Sequence, residues 1–574
     1  MKRTFMTERQ MNKNILLKDG DYESIRQVLE RIASILPDHR ILAELDQDKN
    51  IVYYTSEDIY EEVMNLGDGL IDAGLKDAHI AIIAENSVRY VLSDICISSG
   101  VGVVTPIDRE APVDLLVTLL NKCDADAVIC NAKIVKTLEE VMDKCPRVKT
   151  LITIDKQKEG YLSYDELVKR GAALKDKSIY RNIKLDLEAP AKILFTSGTT
   201  GANKGVVLTN ANLAANILNC MDTIMATPEN TAMSVLPMHH ATEINTHIMT
   251  RVASGRLTYI NDNMRNMMAN MKLFKPNCIT IVPMIANAFY KGIWTNAAKL
   301  GKAEKLKKGI KISNLLRKFG KDKTHSMFAD LFAPFGGNLE FIVCGGSMLN
   351  PEVVKGMNDL GVRMENGYGI TECGPLISMN SETLTEHLSV GKPCPGLEAK
   401  LINVNEEGVG ELCIRGKSVA KGYYKDEEAT RKVFMEDGFF NTGDSARIDA
   451  EGKIFLVGRK KNTIVLENGK NICPEEVENV IESALSYADE VVVYHPEYDG
   501  RPVLCVGLYI SDDAKRADRD GILSDIKKAN GLLPSYKRID YIEIVDRPYE
   551  KTSTRKIKRT LLPGACSGDG IKVF

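Results

Sequence analysis

The sequence predicts an α/β protein: a large N-terminal domain of layered mixed and parallel sheets with helices, then a small mobile α+β C-terminal domain. Three observations carry that expectation. Short apolar runs recur with helix-like segments between them. The texture of the chain changes near Gly458, where Arg459, Lys460 and Lys461 form a charged joint. The chain has 574 residues, and at ~150 residues per domain that length exceeds one folding unit. The expected division is 1–459 and 460–574.

The strand-like runs are Ile80 to Ala84, Val101 to Val104, Ala127 to Cys130, Leu151 to Ile154, Ile193 to Phe195 and Phe341 to Val343. Among the helices, Ile59, Val63, Leu66 and Leu70 share one face, with Thr55 and Asp58 as a capping box and Gly74 as a stop. Past the joint, Ile464 to Ile472 reads as a hairpin turning at Asn468 and Gly469. Cys473-Pro474-Glu475-Glu476 then opens a helix, with Pro in the first turn and acids at its positive end. Strands are expected at Glu490 to Tyr494, Val503 to Ile510 and Tyr541 to Val545.

Lys and Arg number 75 against 78 Asp and Glu, a net charge of -3. No overall basic field exists to hold nucleic acid, so any anion site must be built locally. Thirteen Cys are scattered without a C-x-x-C, which points to reduced, mostly buried thiols rather than metal fingers. Met1 to Gly20 lacks the apolar core of a signal peptide. No charge-free apolar run reaches the roughly 18 residues of a spanning helix, and a cytoplasmic location is expected.

The most informative stretch is Thr196-Ser197-Gly198-Thr199-Thr200-Gly201-Ala202-Asn203-Lys204. A strand runs into a loop of hydroxyls and glycines closed by a lysine. Glycines let backbone N–H groups turn toward phosphate oxygens, and the hydroxyls and ammonium add charge-assisted donors. The Walker A pattern fits no register here. A plain surface loop is the alternative reading of these residues taken alone.

Further blocks accompany the loop: Gly345-Gly346-Ser347, Asn366-Gly367-Tyr368-Gly369-Ile370-Thr371-Glu372, Gly422-Tyr423-Tyr424, Thr442-Gly443-Asp444, Gly458-Arg459 and Thr554-Arg555-Lys556-Ile557-Lys558-Arg559. Their order resembles the acyl-adenylate-forming superfamily of acyl-CoA synthetases, nonribosomal adenylation domains and luciferases, over about Leu29 to Leu562. The resemblance implies ATP, Mg²⁺ and coenzyme A. It also implies that Thr196 to Lys204 hold the triphosphate, that Glu372 with Thr200 serves the metal, and that Tyr368, Gly345 and Gly346 receive adenine. Asp444 and Arg459 would hold ribose, and Lys556 would be the catalytic cation meeting both the substrate carboxylate and the α-phosphate. Lys461 matches the hinge and Gly469 the segment lining the thiol channel. Arg555 stands where the common family pattern has Gly, and Ala202-Asn203 replace its variable residue and Pro.

For the acid, Leu236-Pro237-Met238-His239-His240-Ala241-Thr242-Glu243 resembles the L-P-x-x-H-x-x-E block of long-chain acyl-CoA synthetases, with His240 as its histidine. The Asp that pairs an amino group in amino-acid adenylation domains is absent. The implied substrate is a medium- or long-chain fatty acid. His239, His240, Glu243 and His247 read alternatively as zinc ligands, although H-E-x-x-H is missing. Between Gly301 and Lys323 lie nine Lys or Arg against two acids, with Leu306, Ile310, Leu316 and Phe319 at loose helical spacing. That segment reads as a solvated helix or as one docking weakly on an anionic membrane. Met264 to Met271 and Thr280 to Ala286 read equally as tunnel lining or core. Rival functions are an acyl carrier protein ligase, a nucleotide-binding regulator without chemistry, and a P-loop ATPase.

Overall fold

Two eight-stranded sheets organise the N-terminal part of the chain. The computed structural model describes residues 22–196, 203–223, 230–346, 349–380, 389–466, 471–485, 487–551, 557–567 and 569–573. One sheet runs, in spatial order, 422–423, 204–209, 190–196, 102–106, 78–83, 127–130, 150–153 and 162–163. Its strands from Ala78–Ile83 outward pair in parallel, as intervening helices require. The other runs 376–379, 363–369, 341–345, 278–281, 232–234, 258–260, 40–45 and 51–55, again parallel in its centre.

The apolar runs fall on these strands. Ala127–Cys130 is observed with the expected bounds, and the others shift by one to three residues at an end. Helix Ser56–Asp72 starts at Thr55, whose side chain accepts from Asp58 N while Asp58 Oδ2 accepts from Thr55 N. Ile59, Val63, Leu66 and Leu70 are fully buried. Gly74 follows at φ +85°, a left-handed stop that glycine adopts without a Cβ penalty.

An antiparallel four-stranded sheet, Leu397–Ile402, Gly410–Gly416, Phe440–Ile448 and Ile454–Arg459, leads to the charged joint. Beyond it Ile464–Val465 pairs with Asn471–Ile472, the turn between them lying outside the described residues. Helix Pro474–Ala484 follows with Pro in its first turn. A second four-stranded sheet combines Glu490–Tyr494, Cys505–Tyr509, Tyr541–Val545 and Ile571–Lys572 over its own core of Val477, Ile481, Val506 and Ile526. Among the described residues, Asn350 Nδ2 donates to Ser483 Oγ at 3.2 Å and Lys291 lies 3.7 Å from Asp489.

Three expectations need adjustment. Helix Ala303–Lys318 is present, but Leu306 and Ile310 pack inward while Ile312, Leu315 and Phe319 are exposed, so the apolar stripe is not the one the spacing suggested. Met267 and Met271 belong to the core and Met284 is exposed; within those two stretches it is Thr280 that lines a cavity. In the basic stretch near the C-terminus, which reads alternatively as a solvated tail, Arg559 is instead half-buried and paired with Glu478 at 2.6 Å. All thirteen cysteines are free thiols, twelve of them buried. No helix among the described residues is long and apolar enough to cross a membrane.

Candidate active site

Strands Pro190–Thr196 and Lys204–Thr209 pair antiparallel, with Thr196 opposite Lys204. Ser197, Gly198, Thr199, Thr200, Gly201 and Ala202 connect them and lie outside the described residues. Strand Gly422–Tyr423 adds to the same edge, with Tyr423 opposite Val206. That pairing sets Tyr423 between two charges. Lys204 Nζ lies 4.7 Å from the centroid of its ring, and its hydroxyl donates to Glu372 Oε1 at 2.8 Å. The Lys204 ammonium and the Glu372 carboxylate thus bracket one aromatic ring. Glu372 sits in the turn Thr371–Cys373, and its backbone oxygen accepts from Ala420 N at 2.8 Å.

Strand Arg363–Gly369 carries Asn366, Gly367, Tyr368 and Gly369 beside Phe341–Gly345. A Cβ at Gly345 would lie 2.8 Å from Gly367 O, and Gly346 holds φ +96°. Close backbone approach and a left-handed turn therefore demand glycine at both positions. The Tyr368 hydroxyl donates to Asp444 Oδ2 at 2.5 Å. Asp444 pairs in register with Arg459 across the antiparallel strands, and Arg459 Nε meets Asp444 Oδ1 at 2.7 Å. Burial, then the Asp444 charge, push the Tyr368 phenol far up, so it stays a donor.

Lys461 follows directly in the turn Lys460–Asn462, where burial and the neighbouring Arg459 charge lower its ammonium. Lys460 holds Glu411 at 2.7 Å. Ser347, Gly469, Arg555 and Lys556 lie outside the described residues. On either side of the last two, Lys551 and Ile557 form an antiparallel bridge.

His240 lies two residues before the π-helical segment Thr242–Ile248: its carbonyl accepts from Glu243 N at 3.1 Å and Ile244 N at 3.3 Å, and its ring lies 4.1 Å from that of His239. Burial and Arg109 push His239 down to about 4, leaving it neutral. Glu243 Oε1 is engaged by His247 Nδ1 at 3.0 Å. The four zinc candidates are thus split into two separate pairs, and among the described residues no group of three or more His, Cys, Asp or Glu is arranged to hold a metal.

Two features escaped the sequence reading. Lys192 Nζ, wholly buried, donates to Asp94 Oδ1 at 2.6 Å and Asn245 Oδ1 at 2.8 Å, tying the strand before the phosphate loop to the π-helical turn. Nothing in a lone Lys inside an apolar run announces such a partner. Gly345, Gly346 and Tyr368 line a cavity of about 50 Å³ together with Thr242, Thr246, His247, Thr250, Arg251 and Arg256. The Thr spacing of four residues was the available signal.

The model of the family described as "AMP-binding enzyme" matches residues 29–424. Long chain acyl-CoA synthetase 6, peroxisomal, of Arabidopsis thaliana is 29% identical over 77% of this chain, which spans 66% of that protein. The chloroplastic long-chain-fatty-acid–[acyl-carrier-protein] ligase AEE15 of Arabidopsis thaliana is 26% identical over 97% of this chain and 88% of its own length. A crystal structure of the anthranilate CoA ligase AuaEII in complex with anthranoyl-AMP superposes with a TM-score of 0.77 at 18% identity, covering 95% of this chain and 98% of that one.

Proposed function

Because the chain belongs to the AMP-binding enzyme family, we propose that it activates a carboxylic acid with ATP, releasing pyrophosphate, and then transfers the acyl group to coenzyme A. The observation that carries this is the arrangement of Lys204 and Glu372 about Tyr423 beside the Tyr368–Asp444–Arg459 chain. The first set supplies groups for a triphosphate, the second groups for a nucleoside.

In the first step a carboxylate oxygen of the acid attacks the α-phosphorus and the bond to pyrophosphate breaks. Two anions must approach, so the site has to neutralise charge and hold the attack in line. Lys204 and the residues from Thr196 orient the triphosphate. Asp444 and Arg459 hold the ribose, and Tyr368 with Gly345 and Gly346 borders the base. Glu372 and Thr200 would hold Mg²⁺, whose usual donor set is one or two carboxylates plus phosphates, and the ion would neutralise charge on the triphosphate. Lys556 meets the reacting carboxylate and α-phosphate. In the second step the coenzyme A thiol attacks the acyl carbon and AMP leaves. Residues 460–574 act as the mobile domain, turning about Lys461 between steps, and Gly469 lets the pantetheine arm pass close to backbone.

The acid is a medium- or long-chain fatty acid, with His240 at the head of the acyl-side helix. The protein works in the cytoplasm. The exposed Ile312, Leu315 and Phe319 on the lysine-rich helix Ala303–Lys318 support weak contact with an anionic membrane. Product analysis tests the reading: AMP, pyrophosphate and an acyl thioester are expected, whereas ADP and phosphate would refute it. Supplying coenzyme A and an acyl carrier protein together as competing acceptors tests the choice of thiol.

A further inference from the structure

The cavity behind the nucleotide-side glycines has two unlike walls. Val343, Pro375 and Leu376 make one side apolar. The polar part of the lining comes from Thr242–Ile248 and Met249–Ala253, where Thr242, Thr246 and Thr250 repeat every four residues and so share a face. His247 is 4% exposed; its Nδ1 is engaged by Glu243, and its Nε2 has no hydrogen-bond partner among the described residues. Thr246 and Thr250 are also buried, and among the described residues their hydroxyls have no partner but the Cys220 thiol, a weak one.

Arg251 completes this wall. It is 5% exposed, and its recorded partners are neutral oxygens: Thr258 Oγ1 and Leu257 O, each at 2.9 Å, and Asn230 O. No described carboxylate forms an ion pair with it. Burial, then the adjacent Arg256, hold its guanidinium down to about 10. A buried cation without a counter-charge is costly unless a ligand supplies one, and so are buried hydroxyls and an imidazole nitrogen without strong partners. A methylene chain would leave all of them unanswered.

We propose that this cavity receives the far end of the acid being activated and that this end carries a second carboxylate, so that the medium- or long-chain acid proposed above is an α,ω-dicarboxylic one. The inference rests on the acid-activating reading above. The apolar wall carries the carbon chain, and Thr246, His247, Thr250 and Arg251 meet the distal carboxylate. A site built around buried polar groups discriminates strongly against an analogue lacking the matching group.

The test is ATP–pyrophosphate exchange with acids matched in length and ending in methyl, hydroxyl or carboxylate, over a graded series. The carboxylate-ended acid is expected to exceed its methyl-ended counterpart by roughly 100-fold in kcat/KM. Thr250→Val, close to isosteric, and Arg251→Met are expected to shrink that ratio at least several-fold, chiefly through KM for the carboxylate-ended acid. Methyl-ended acids performing as well as or better than their counterparts, or a ratio untouched by both variants, would overturn the inference while leaving acid activation standing. Exchange with no acid of any kind would overturn both.

Discussion

Asp444 and Arg459 face each other in register on adjacent antiparallel strands, and their charged groups meet at 2.7 Å with the Tyr368 hydroxyl closing on the other carboxylate oxygen. Backbone pairing thus fixes two of the proposed nucleotide contacts relative to a third, before any nucleotide arrives. That pre-organisation reduces what binding must spend on ordering side chains.

Asp444→Asn keeps the shape and removes the charge. Hydrogen bonds to charged groups contribute about 1.5–3 kcal/mol, so KM for ATP should rise roughly 10- to 100-fold. The wild type should also discriminate against 2′-deoxy-ATP, and the variant should lose most of that discrimination. Equal use of both nucleotides by the wild type would remove Asp444 from ribose recognition.

Tyr423→Phe preserves the ring beneath Lys204 and deletes the donor to Glu372. Apparent Mg²⁺ affinity in the activation step should change by roughly tenfold, from a bond to a charged acceptor. Tyr423→Leu, which also removes the ring face, should weaken ATP use further. Mg²⁺ titrations of initial rate measure both.

Lys192 and Asp94 are both fully buried and joined at 2.6 Å. Removing one partner of a buried pair costs about 3–5 kcal/mol, so Lys192→Met should lower the unfolding midpoint sharply. The double variant Lys192→Met/Asp94→Leu should recover part of the loss. A single variant as stable as the wild type would mean the pair carries no structural role.

Glu411 offers a pH signature. Burial raises its carboxyl, but hydrogen bonds from Lys460, Asn441 and Asn403 outweigh that and bring it from 4.5 to about 2. A carboxyl depressed in the folded state adds stability that is complete above its unfolded value and disappears as pH falls toward the folded one. The thermal midpoint of the wild type should therefore exceed that of Lys460→Met near neutrality, and the gap should close between pH 4.5 and about 2. A gap independent of pH would assign the effect to packing.

The sequence was most readable where one local rule acts alone. Ala127–Cys130 and the Thr55–Asp58 cap follow from apolar runs and a capping pattern, which need no knowledge of distant partners. Asp444 and Arg459 were legible through resemblance, but their mutual ion pair depends on a strand register that no spacing reveals. Lys192 is the extreme case: it sits inside an apolar strand and is explained by Asp94, 98 residues away. The lysine-rich helix is legible only in part because loose apolar spacing does not say where packing ends; of its expected stripe Leu306 and Ile310 pack inward and Phe319 does not.

Acid-dependent ATP–pyrophosphate exchange in the wild type and Lys556→Ala measures the central claim most directly. Exchange that requires a carboxylic acid and falls at least about 100-fold in the variant is the predicted result. Acid-independent release of ADP and phosphate, or exchange undiminished without the lysine, would contradict it.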